Sequence, residues 1–128
     1  MLIKKLNLPL QEIIISTFGL VTETKAPFDC IYATYFLNKW GVPATFYFVG
    51  ETGALNEPLL NLAENLGIPT KIKSLNSWTS EETYKDFLLA SDFAIQLRTY
   101  GFGGLSGAIL DCISSGLPTV VNNDLAEA

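Results

Sequence analysis

Residues 12–28, EIIISTFGLVTETKAPF, carry the reading on which the rest of the chain depends. Ile13, Ile14, Ile15 and Thr17 are β-branched, stiff at χ1 and suited to a pleated backbone. The run shows no polar alternation, so both of its faces must be covered, as in a parallel sheet between helices. Gly19 closes the run, and Pro27, with its fixed φ, suits the first turn of a helix. The segment therefore reads as strand, short loop with a lysine at its end, then helix.

The same unit recurs downstream. The helix from Pro27 places Phe28, Ile31, Tyr32, Tyr35 and Phe36 at helical spacing, an apolar stripe predicted to face inward and to end at Gly41. ATFYFV, residues 44–49, is a second apolar strand stopped by Gly50. Pro58 opens a helix with Leu59, Leu62, Ala63 and Leu66 on one side and Gly67 as its stop. TKIKS, residues 70–74, is a weaker strand whose alternating lysines point to a sheet edge. Thr79-Ser-Glu-Glu82 is a capping signal before a helix carrying Tyr84, Phe87 and Leu88. FAIQL, residues 93–97, is the fourth strand, and PTVVN, residues 118–122, the fifth. Between them a glycine-rich loop, residues 98–106, leads into a helix predicted to turn Ile109, Cys112 and Ile113 inward and to end at Gly116. Strict alternation of strand and helix predicts an α/β fold. Right-handed crossovers favour a Rossmann-like, doubly wound parallel sheet of about five strands, order 3-2-1-4-5, with helices on both faces.

Length and composition narrow the function. The 128 residues allow one domain, 1–128, and the stop just past the fifth strand suggests a fragment of a longer protein. Eight basic against 13 acidic residues give a net charge of −5, and Arg98 is the only arginine. That leaves no basic stripe for nucleic acid. The absence of histidine removes Ser-His-Asp and Cys-His chemistry and His-ligated metals. Cys30 and Cys112 are far apart and form no CxxC, so they read as small buried hydrophobes in a reducing compartment. No apolar run approaches the roughly 18 residues of a membrane span, and no leader pattern is present. These features predict a soluble, acidic, cytoplasmic domain without a transmembrane segment.

In the expected strand order, ligands bind beyond the carboxyl ends of strands one and four. Two loops meet there. Gly19 to Pro27 delivers Lys25 to a helix mouth, a compact positive site for a phosphate or diphosphate, or else simply a solvated lysine. Arg98 to Gly107 holds four of the ten glycines within seven positions. Such a loop exposes backbone N–H groups to an anion, unless it is only a tight turn. Ser106 stands at the N-cap position, so its hydroxyl can serve the helix instead of a ligand. The loop is neither a Walker A motif nor a dinucleotide fingerprint. Asp111, one turn into the next helix, reads as a partner for sugar hydroxyls or as an acid favoured by the helix dipole.

The segments IISTFGLVTETK (14–25), ATFYFVGE (44–51), LLASDFAIQL (88–97) and SGAILDCISSGLPTVVNND (106–124) resemble the C-terminal domain of group 1 glycosyltransferases, which have the two-domain GT-B fold. The resemblance runs from about residue 12 to the end and implies a domain that binds a nucleotide-diphosphate-sugar. It implies that Lys25 neutralises the donor diphosphate, the catalytic contribution of this half. Gly19, Arg98, Gly103, Gly104, Ser106 and Gly107 would line the substrate, and Asp111 would meet the nucleotide ribose. The family's arginine after the strand glycine is Leu20 here, and Gly103 and Gly104 stand where its first acid would be. The resemblance further implies retaining transfer to an acceptor, with an N-terminal Rossmann-like domain as partner and no cofactor or metal. Asn76 and Trp78, after the third strand, fall near where the base would lie. Two other readings remain open: a glycosyltransferase-like interaction module without catalysis, and a different nucleotide-binding α/β domain.

Overall fold

The computed structural model describes residues 1–98 and 107–122. After a short helix α1 (Leu2–Lys5) the chain alternates through β1 (Ile13–Phe18), α2 (Pro27–Lys39), β2 (Ala44–Val49) and α3 (Asn56–Asn65). It continues through β3 (Ile72–Ser74), α4 (Glu81–Ala90), β4 (Phe93–Ile95), α5 (Gly107–Ser114) and β5 (Thr119–Val120). The five strands form one parallel sheet in the order β3-β2-β1-β4-β5, as expected. The chain steps outward from β1 to β3, then returns and steps outward through β4 to β5. Right-handed crossovers in those two directions put α2 and α3 on one face and α4 and α5 on the other.

Strand alternation then builds two cores. Ile15, Phe46, Phe48 and Ile72 point to the first face, where Ile31 of α2 and Leu59 and Ala63 of α3 cover them. Ile14, Phe18, Tyr47 and Val49 point to the second, under Phe87 and Leu88 of α4 and Cys112 of α5. Both cysteines are buried and unbonded, and burial pushes the Cys30 thiol up to about 12, so it stays an inert thiol. Among the described residues no helix is long and apolar enough to cross a membrane.

The structure revises several local readings. The buried face of α2 is Pro27, Cys30, Ile31 and Thr34, while Tyr32 and Phe36 are 42% and 41% exposed. Thr34 can take an inward position because its hydroxyl donates to the Cys30 carbonyl at 2.9 Å. The aromatic stripe instead packs on itself, Phe36 lying between Tyr35 and Trp40 with ring centroids 5.3 and 5.7 Å away. In α5, Ile109 and Cys112 face inward as expected but Ile113 is 59% exposed, one step too far round the helix. The cap of α4 is Ser80, not Thr79: its Oγ accepts from the Thr83 N–H at 3.2 Å. Thr70 and Lys71 belong to a 3₁₀ turn ahead of β3, and Lys71 pairs with Glu12 at 2.6 Å. The short α1 has no counterpart in the sequence reading. It is tied to α4 by Lys5, which lies 2.8 Å from Glu82 and 2.9 Å from Asp86.

Candidate functional site

β1 ends at Phe18 with β2 to one side and β4 to the other, the point from which the chain winds outward in both directions. Beyond it lies the crevice that open α/β sheets use for ligands. Its floor is held by Gln96, a buried glutamine just past β4. Gln96 Oε1 accepts from the Phe18 N–H at 2.6 Å and from the Thr17 hydroxyl at 3.0 Å, and its Nε2 donates to the Phe18 carbonyl at 3.3 Å. An amide can satisfy both backbone groups of one residue where a strand pair ends, so burial of this polar side chain carries little cost. The sequence shows it only as one polar residue in an otherwise apolar strand.

Lys25 folds back over this floor. A 3₁₀ turn, Glu23–Lys25, and a left-handed Ala26 (φ 50°) bring the chain round before Pro27 starts α2. Lys25 Nζ donates to the Phe18 carbonyl at 3.2 Å. It lies 3.1 Å from where a Cβ on Gly19 would stand, and Gly19 has φ of +96°. Glycine is therefore required at position 19 twice over, for its backbone and for the space the ammonium occupies. Arg98 enters from the end of β4, where Asn122 fixes its backbone by accepting from the Arg98 N–H and donating to its carbonyl. Among the described residues no carboxylate pairs with Lys25 or Arg98. Burial first, and then the Arg98 charge, pull the Lys25 ammonium down to about 8. The arginine charge thus acts on a half-buried lysine where no described carboxylate offsets either group.

Beside Gly19 the crevice opens into a cavity of about 330 Å³ lined by Leu20, Val49, Gly50, Glu51, Trp78, Thr79 and Tyr84. Trp78 is 80% exposed at its rim. The loop that presents it is clamped by Asn76, itself left-handed at φ 43°, whose Oδ1 accepts from the Thr52 hydroxyl at 2.9 Å and from the Gly53 N–H at 3.2 Å. Asp111 does not line this cavity. It is exposed at a groove between α4 and α5, and the Tyr84 hydroxyl donates to its Oδ2 at 2.9 Å. The crevice thus gathers Gly19, Lys25 and Arg98, and Asp111 stands across Tyr84 from it. Gly107 is the exposed first residue of α5. Gly103, Gly104 and Ser106 lie outside the described residues. Tyr84, given by the sequence only as one residue of the α4 helix, lines the cavity, and its link to Asp111 is a feature the sequence did not reveal.

Known structures share this architecture. The C-terminal domain of LpcC, a glycosyl transferase group 1 family protein from Francisella tularensis, matches at TM-score 0.69 and 18% identity over 85% of this chain and 57% of that one. WaaG, a glycosyltransferase involved in lipopolysaccharide biosynthesis, matches at TM-score 0.78 and 18% identity, over 99% of this chain and 33% of its own. Sucrose-phosphate synthase from Thermosynechococcus elongatus matches at 0.77 and 13% identity, over 94% and 30% respectively. The chain therefore spans little more than half of the first structure and about a third of the other two. At these identities the common property is the fold, the Rossmann-like α/β architecture that the sequence resemblance implied. No protein-family model and no curated protein matches the sequence.

Proposed function

We propose that this chain is the donor-binding half of a GT-B-type glycosyltransferase and that its ligand is a nucleotide-diphosphate-sugar. The observation that carries the reading is the partly buried Lys25 ammonium at the switch point of the sheet, near enough to Arg98 to feel its charge and offset by no described carboxylate. A diphosphate supplies an anion there. The adjacent cavity, apolar on Leu20 and Val49 and aromatic on Trp78 and Tyr84, suits a base in the way small-molecule pockets usually do. When the glycosyl bond to the donor breaks, charge gathers on the departing diphosphate. Lys25 and Arg98, fixed in advance, stabilise that charge without a metal. N–H groups of the loop through Gly103, Gly104, Ser106 and Gly107 would join them, with Asp111 serving the ribose. The acceptor site and the remaining catalytic groups belong to a partner Rossmann-like domain, and transfer proceeds with retention. The chain alone is therefore expected to bind donor and transfer nothing; turnover of a sugar nucleotide by the 128-residue chain would overturn that division of labour.

Calorimetric titration of the chain with UDP, GDP and ADP, and with the matching nucleosides, tests the reading. At least one diphosphate should bind and its nucleoside should not. The pH profile adds a sharper check. Binding needs the Lys25 ammonium, whose proton is held only up to about pH 8 in the free chain. Affinity should thus fall between pH 7 and 9.5, a range in which the diphosphate's own ionisation is nearly complete, with proton uptake per nucleotide bound rising from near zero at pH 7 toward about one above pH 9. An affinity that is flat across that range would remove Lys25 from the site.

A further inference from the structure

The Tyr84 side chain touches three things at once. Its ring lines the crevice cavity and packs edge-on against Phe18, with centroids 5.2 Å apart. Its hydroxyl reaches out of that cavity to Asp111 Oδ2 at 2.9 Å. A strand end, a cavity wall and an acid on another helix are thereby joined by one rigid group with a single rotatable hydroxyl. Burial, and then the Asp111 carboxylate, raise the Tyr84 phenol, so it remains a donor throughout the neutral range. The direction of the bond is therefore fixed: tyrosine donates and aspartate accepts. Among the described residues no hydrogen bond holds Oδ1, the other oxygen of that carboxylate.

Resting on the nucleotide reading above, we propose that Tyr84 is a positioning residue for ribose recognition. Its hydroxyl holds Asp111 Oδ2, which turns Oδ1 toward the sugar of a nucleotide whose diphosphate lies at Lys25 and whose base lies in the Leu20–Trp78 cavity. A free aspartate on an exposed helix face samples several rotamers, and one bonded through Oδ2 does not. The tyrosine thus converts a solvated acid into a fixed acceptor for the ribose hydroxyls, and it makes the site selective for ribonucleotides.

The test compares each nucleoside diphosphate that binds with its 2′,3′-dideoxy counterpart, which lacks both hydroxyls Asp111 can meet. The proteins are the 128-residue chain and its Tyr84→Phe and Asp111→Asn variants. Tyr84→Phe keeps the ring against Phe18 and removes only the hydroxyl. The unmodified chain should prefer the ribonucleotide by about 10-fold or more, the size of a hydrogen bond to a charged group. Tyr84→Phe should lower that preference by roughly threefold or more, weakening the ribonucleotide more than the dideoxy ligand, and Asp111→Asn should bring it near unity. If Tyr84→Phe weakens both ligands equally, or leaves the preference intact, the tyrosine is a structural tie between α4 and α5 and the proposal fails with the nucleotide site still standing. If no diphosphate binds the unmodified chain, the nucleotide reading fails and takes this one with it.

Discussion

Lys25→Met should weaken nucleotide binding by roughly 10- to 100-fold and at the same time stabilise the chain. The two effects have opposite signs because they come from one cause. Lys25 sits at the end of β1 with its ammonium partly buried, an arginine nearby and no described carboxylate to offset it. The folded chain disfavours the charged form, which is why the ammonium is drawn from 10.5 down to about 8. Below pH 8 the lysine is charged in both folded and unfolded chains, and that charge works against folding. Between pH 8 and 10.5 the unfolded chain binds the extra proton, so stability rises with pH. Methionine keeps the apolar stem and removes the charge, so thermal unfolding at pH 7 should shift upward. A donor diphosphate meets the reverse situation, since it offsets both cations at once. Losing one charge-assisted contact costs about 1.5–3 kcal/mol, or roughly 10- to 100-fold in affinity. A variant that loses binding and stability together would mean that Lys25 is a structural residue, and one that loses neither would mean that the anion site lies elsewhere.

How much of this was legible in the sequence depends on whether the information was local. β1 and β2 are continuous apolar runs, and a run without alternation has one physical explanation, cover on both faces. The strand order then followed from crossover handedness, and the position of Lys25 and Arg98 at the switch point followed from the strand order. What failed was facial direction on helices that carry apolar groups on more than one side. In α2, Phe28, Ile31, Tyr32, Tyr35 and Phe36 fit the helical period well, but Cys30, Ile31 and Thr34 fit it too, and only the sheet decides between them. A buried threonine that bonds its own helix is invisible to a hydrophobic pattern. The crevice was legible where a loop follows a strand, and its bracing was illegible where a side chain crosses between elements. Tyr84 at 27 residues from Asp111, and Gln96 at 78 from Phe18, are pairings that no spacing rule contains. Short-range signals located the crevice; the network that braces it is long-range.

The most severe substitution should be Gly50→Ala, although position 50 bears no side chain and no charge. β1 and β2 run in register to their last residues, Phe18 opposite Val49, and the ladder continues past both strands. The Gly19 N–H donates to the Val49 carbonyl at 3.1 Å, and the Val21 N–H donates to the Glu51 carbonyl at 2.9 Å. These bonds draw the two post-strand turns so close that a Cβ on residue 50 would stand 2.2 Å from the Gly19 carbonyl oxygen and 2.8 Å from its carbon. Neither atom belongs to a side chain that can swing aside. The turns must separate, which breaks one or both ladder bonds and moves Gly19, against which Lys25 is folded. Overpacking of 1–3 kcal/mol and the loss of about 1 kcal/mol per hydrogen bond give a cost of roughly 3 kcal/mol or more. That is a large share of the 5–15 kcal/mol a domain of this size commands, and should lower the thermal midpoint by about 10 °C or more. Gly41→Ala is the matched control: its φ is +86°, but a Cβ there meets nothing within 4 Å, so only left-handed strain of about 1–2 kcal/mol applies. Circular dichroism melts of the two variants separate close approach from backbone strain. Equal midpoints would show that the turns after β1 and β2 part without cost, and the tight packing that fixes Gly19 and Lys25 at the crevice would then have no energetic basis.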